Sequence, residues 1–183
     1  PNVSNTGFYI RKFISEASGY TLRNYAENWW PWFRLGEIYL NAAEAAFELN
    51  DEPTALPYIN RLRQRAGFPA NSLTSLTIEK IQNERRVELA FEDHRYFDMK
   101  RWRIADITWN GNIDNDKAIV YGLYPYRIAV AKPGTQDQDK YIFVKTRSER
   151  FKVARTFQQS NYYSFIADDV INNNPTIVKN PFQ

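Results

Sequence analysis

At 183 residues and 43% hydrophobic content the chain can bury the core of one domain, and its lack of cysteine excludes disulfides, thiolate chemistry and sulfur-ligated zinc. Its 24 Lys and Arg stand against 21 Asp and Glu with the signs interspersed, which argues against a nucleic-acid partner. No apolar run approaches the roughly 18–20 residues that span a bilayer.

Residues 1–28 read as a polar, turn-rich arm with one short strand, Gly7 to Ile14. From Trp32 to Leu49 the residues Leu35, Ile38, Tyr39, Ala42, Ala45, Ala46 and Leu49 recur at helical spacing, and Asn50-Asp51-Glu52-Pro53 stops one helix and starts another. Trp32, Leu35, Gly36 and Tyr39 match the W-x2-L-G-x2-Y half of a tetratricopeptide helix, which puts Trp32 in the core and lets a neighbouring helix approach Gly36. The second helix runs from about Thr54 to Ala66 and ends at Gly67 with Pro69 beyond. Nothing similar returns about 34 residues later, so one helical hairpin is expected and not an array. Thr77 is a suitable N-cap for a third helix reaching about Asp93, and His94 to Ile104 reads as a fourth, kinked at the junction. After Asn110-Gly111 the character changes. Ala118–Ala131 and Tyr141–Thr146 are rich in β-branched and aromatic residues around Lys132-Pro133-Gly134-Thr135, the pattern of a β-hairpin. The tail, with Asn172-Asn173-Asn174-Pro175 and Asn180-Pro181, should be irregular.

The fold class is therefore mainly α: tetratricopeptide-like helical hairpins over about 32–105, a small β-hairpin or loop excursion over about 111–157, and an irregular C-terminal tail, 158–183.

On the third helix Ile78, Ile81, Arg85, Glu88, Leu89 and Glu92 share one face, so charges run through the apolar stripe. The first helix carries its own polar stripe, Arg34, Glu37, Asn41, Glu44 and Glu48, net acidic beside its apolar face. The expectation is a partly buried ion-pair lattice in which Arg85, helped by Arg34 or Arg65, meets Glu37, Glu44, Glu88 and Glu92, because a planar guanidinium can hold two carboxylates. The rival use of Glu88 or Glu92 is glycoside hydrolysis, but interleaved arginines would keep those carboxylates ionised, which defeats a general acid. His94 is the only histidine, and HExxH, Glu-x-x-His, GxGxxG and GxxxxGK[ST] are all missing, so no catalytic residue, metal site or cofactor is expected.

Three segments, Phe33–Ala45, Ile59–Gly67 and Glu84–Trp102, together resemble the C-terminal part of the SusD/RagB family of nutrient-binding lipoproteins of Bacteroidetes outer membranes. The most specific string is Glu84, Arg85, Arg86, Glu88, Leu89, Phe91, Glu92, Arg95, Asp98, Arg101 and Trp102; Asn60, Arg63, Arg65, Ala66 and Gly67 carry a second pattern. Arg34, Glu37 and Ala43-Glu44-Ala45 open the first helix as in the family, with Gly36 at a position where alanine is usual. Gly7–Phe13 is similar to the family's G-Y-x-x-R-K lead-in and Asn174–Phe182 to its closing stretch.

The resemblance implies a binder and not an enzyme: a cell-surface protein that captures an oligosaccharide or peptide and passes it to a SusC-type TonB-dependent transporter. It also implies a longer parent with a signal peptide and lipid anchor, of which this chain would be a C-terminal piece. Candidate ligand-binding residues are Trp109, Tyr121, Tyr124 and Tyr126, whose rings would stack on sugar faces; the alternation from Tyr121 to Ile128 equally suits the packing of a sheet. Trp29 and Trp30 stay open between core and platform. A tetratricopeptide-like protein-interaction adaptor is the alternative from another class.

Overall fold

The computed structural model describes residues 8–15, 28–109, 121–129, 133–147, 154–174 and 176–182. It divides into two compact units, residues 11–98 and residues 1–10 together with 99–183.

The 11–98 unit is built on a helical hairpin, α1 (Leu35–Glu48) and α2 (Glu52–Arg65), with α1 also packing on α3 (Ile78–Glu88). The short connection closes α1 with the Asn50 and Asp51 amides bonded to the Phe47 and Ala46 carbonyls, both at 2.9 Å, and opens α2 with a cap. Asp51 accepts the Thr54 amide at 3.1 Å and Pro53 sits in the first turn of α2, where its missing N–H costs nothing. Gly67, at φ +96°, closes α2 as the Phe68 and Gly67 amides bond back to Arg63 and Gln64 at 3.0 and 3.1 Å. Thr77 caps α3, accepting the Lys80 amide at 3.3 Å. The core is Leu40, Ala43, Ala55, Ile59, Leu62, Leu76, Ile81 and Leu89. Asn60 clamps the loop after α2 by pairing both the N–H and the C=O of Leu73, at 3.0 and 2.9 Å. α3 gives way to α4 (His94–Arg101) through a turn in which Phe91 and Asp93 adopt φ of 64° and 61°.

In the other unit, α5 (Ala105–Trp109), Met99, Phe157 and Tyr162 form a second core. β1 (Tyr121–Arg127) and β2 (Tyr141–Arg147) pair antiparallel with Tyr124 opposite Val144. A 3-10 turn (Gln159–Tyr162) and α6 (Asp168–Asn173) punctuate the tail. No described helix is long and apolar enough to cross a membrane.

Two expectations fail here. The lead-in is not a strand over residues 8–14: the chain turns at Lys12 and Phe13, with φ of 65° at Phe13 and the Ile14 amide bonded to the Arg11 carbonyl at 3.2 Å. The turn sends the Lys12 ammonium onto the end of α3, a bond that an extended strand would forgo. Trp32 is not core but 81% exposed, because α1 begins only at Leu35 and the bend upstream takes Trp32 out of helical register. The face of α1 that is buried is Gly36, Leu40, Ala43 and Glu44, while Leu35, Ile38 and Leu49 are exposed. Residues 118–120 and 130–132 of the expected hairpin lie outside the described residues.

Candidate functional site

The charged residues of α1, α2 and α3 converge, with Arg34 at their hub. Arg34 is the N-cap of α1 in extended conformation, which points its guanidinium at the end of α3. Its Nε donates to Glu92 Oε2 at 2.6 Å, Nη1 to Glu88 Oε1 at 2.5 Å and Nη2 to the Glu88 carbonyl at 2.5 Å. Arg65 Nη2 reaches both Glu88 oxygens, at 2.6 and 2.8 Å. Lys12 completes the cluster, donating to Glu92 Oε1 and to the carbonyls of Glu88 and Ala90 at 3.2 and 2.8 Å. These carbonyls lie at and just beyond the C-terminus of α3, where a cation also meets the negative end of the helix dipole. Gly36 makes room for the pair: a Cβ there would fall 2.5 Å from Arg34 Nη1 and 2.8 Å from Glu88 Oε1.

A second, deeper group surrounds Arg85. Its Nε donates to Asp98 Oδ2 and its Nη1 to Asn41 Oδ1, both at 2.7 Å, while Glu37 Oε1 stands 4.0 Å from Nη2. Arg85 and Asp98 are both buried. His94 Nε2 lies 3.7 Å from the other Glu37 oxygen, and Glu44 is buried on α1. Asp98 and Lys12 were missing from the charged set read from the sequence, although both fall within the motif segments, Asp98 in the long arginine-rich string and Lys12 in the lead-in.

Each carboxylate oxygen of Glu88 and Glu92 thus accepts from a cation. Burial pushes the Glu92 carboxyl up, but the hydrogen bonds and charges of Arg34 and Lys12 outweigh it and hold its pKa below the ordinary value. The same carboxylates overcome burial to raise Arg34. Such a carboxyl cannot serve as a general acid near neutral pH. Because the Glu92 pKa is depressed in the folded state, its stabilisation is complete above the ordinary 4.5 and is lost as pH falls toward the folded value. Urea midpoints should therefore fall from pH 5 to pH 3, and Glu92→Gln should flatten that slope; an unchanged slope in the variant would refute the assignment.

The four aromatic candidates do not form one platform. Trp109 is half-buried and packs against Phe157 with ring centroids 6.0 Å apart, at the edge of the second core. On the hairpin the strand period of two separates the tyrosines: Tyr121 faces one side, where Lys145 lies 4.1 Å from its ring centroid, and Tyr124 and Tyr126 face the other. Tyr126 is 58% exposed. Its face also carries Ile142 and Val144, and the opposite face carries Arg127, Lys145 and Arg147.

The sequence model described as the SusD family matches residues 1–182. The chain belongs to the SusD family. Among its relatives, SusD-like protein P2 of Formosa agariphila is 34% identical over 117 residues, 57% of this chain and 23% of that protein. SusD-like protein P25 of the same organism is 43% identical over 79 residues, 39% of this chain and 15% of that protein. A SusD-like protein of Bacteroides fragilis has a similar solved structure, at a TM-score of 0.57 and 30% identity over 84% of this chain and 26% of that one. The chain thus spans about a quarter or less of the length of these SusD relatives. In this SusD-family chain the motif residues Asn60, Arg65, Arg85, Glu88, Glu92 and Asp98 hold loops and helices together through side-chain bonds.

Proposed function

We propose that this SusD-family chain serves in the capture of nutrient glycans at the outer-membrane surface, as a non-catalytic binder that hands its ligand to a SusC-type TonB-dependent transporter. The observation that supports glycan contact is the shared face of Tyr124 and Tyr126 on the exposed hairpin. Aromatic faces stack on the apolar faces of sugar rings, and two residues spaced by the strand period present their rings on one side. The lattice of Arg34, Arg65, Arg85, Glu37, Glu44, Glu88 and Glu92 acts in this reading as scaffold.

Calorimetric titration against neutral and charged oligosaccharides tests it. Tyr126→Ala should weaken glycan binding by about tenfold, in keeping with the loss of ~1.4 kcal/mol of stacking, and Tyr121→Ala on the opposite face should leave it unchanged. Binding of peptides with no response to any glycan would replace the glycan reading by a peptide one, and sugar release from a polysaccharide would overturn the non-catalytic assignment.

A further inference from the structure

The end of the chain folds back against the 3-10 turn and leaves a groove of about 260 Å³ between them. One wall is Ser160, Tyr163, Ser164 and Phe165; the other includes Asn180 and Phe182. Neither wall carries a charged residue. The Asn180 side-chain amide donates to the Ser164 carbonyl across the closure, and the Tyr163 and Phe182 rings lie 6.4 Å apart at 38°.

The turn beneath is held from below. Tyr162 donates its hydroxyl proton to Asp106 Oδ1 at 2.6 Å, and Gln159 Nε2 donates to Asp106 Oδ2 at 2.7 Å. The Arg103 guanidinium sits over both tyrosine rings, 4.8 Å from the centroid of Tyr162 and 5.0 Å from that of Tyr163. Two aromatic rings are nonetheless presented to solvent at the mouth, Phe165 at 75% and Phe182 at 67% exposure. Phe182 holds a φ of 66°, a left-handed conformation uncommon for a bulky residue.

We propose that this groove is a subsite for one neutral pyranose unit. It rests on the glycan reading above and gives that reading a second location on the chain. A ring with one apolar face and several hydroxyls matches rings set beside hydroxyl and amide groups. The volume, below the roughly 300 Å³ at which pockets for drug-sized ligands begin, suits a single sugar unit. The lining itself offers no cation to a uronate or sulfated sugar, and the two adjoining cations are engaged, Arg103 over the Tyr162 and Tyr163 rings and Lys179 with Asp168 at 2.8 Å.

The experiment is amide chemical-shift mapping on the full chain with the methyl glycosides of glucose, galactose and mannose, and with glucuronate as the charged comparator. At least one neutral glycoside should move the amides of Ser164, Phe165 and Asn180, and glucuronate should not. Phe165→Ala and Phe182→Ala should each weaken that response about tenfold, and Tyr126→Ala should leave it intact. Shifts confined to the Tyr124 and Tyr126 face would overturn the subsite and leave the glycan reading standing. No shift with these glycosides or with longer glycans would overturn both. A response to phenol without one to glycosides would make the groove an apolar cleft and overturn the subsite.

Discussion

Arg34→Ala should lower the unfolding free energy by about 3–5 kcal/mol, because it leaves Glu92 buried and Glu88 partly buried while removing the guanidinium that joins their two carboxylates. Glu92 is 7% exposed, so water cannot replace the lost guanidinium without opening the end of α3. Lys12 and Arg65 still reach one carboxylate each, which places the loss at the lower end of that range. For a chain of this size it corresponds to a fall in Tm of about 6–12 °C. Arg34→Lys should recover less than half, since one ammonium cannot reproduce three directed bonds to two carboxylates and a carbonyl. Urea unfolding followed by circular dichroism measures both variants, and a change below ~1 kcal/mol for Arg34→Ala would mean that the cluster contributes no more than surface pairs do.

Arg85→Ala should be at least as damaging, at about 3–5 kcal/mol, because Asp98, which is buried, and Asn41 each lose a 2.7 Å bond from its guanidinium. A double variant separates charge from packing. Arg85→Met with Asp98→Leu removes both charges and keeps apolar volume, and should restore most of the stability lost in Arg85→Ala. If the double variant is as unstable as the single one, the group is held by its specific hydrogen bonds and not by mutual neutralisation of charge.

The helices of the 11–98 unit were legible because their signals are local. Asp51 and Thr77 cap, Gly67 terminates, and the spacing of Ile59, Leu62 and Ile81 marks a core. What periodicity does not reveal is which side faces inward when a helix is apolar on more than one. α1 has Leu35, Ile38 and Leu49 outside and Leu40 and Ala43 inside, so the register that put Trp32 in the core followed the wrong stripe. The junction after α3 is a similar case. A kink was expected there, but its residues are Phe91 and Asp93 at positive φ, and phenylalanine gives no sequence signal of that conformation.

The charged set was visible as a set and not as a geometry. Which arginine sits at the centre depends on how helices approach, and Gly36 decides it by admitting Arg34 and Glu88 to the space that a methyl group would fill. For the aromatic candidates the strand register does the sorting, since only the pairing of β1 with β2 defines the faces that part Tyr121 from Tyr124 and Tyr126. The groove at the tail had no comparable signal. Its walls come from Ser160–Phe165 and from Asn180–Phe182, stretches apart in the sequence that only the fold brings side by side.

The Lys12 tether bears on how short this protein can be cut. A recombinant boundary set at Leu35, where regular helix starts, would discard both Lys12 and Arg34, the two cations that hold the buried Glu92 carboxylate, and leave Glu88 to Arg65, so a usable minimal version must retain the stretch from Arg11 onward. Proteolytic nicking between Lys12 and Arg34 should for the same reason leave the two pieces associated, held by ionic bonds that high salt would loosen.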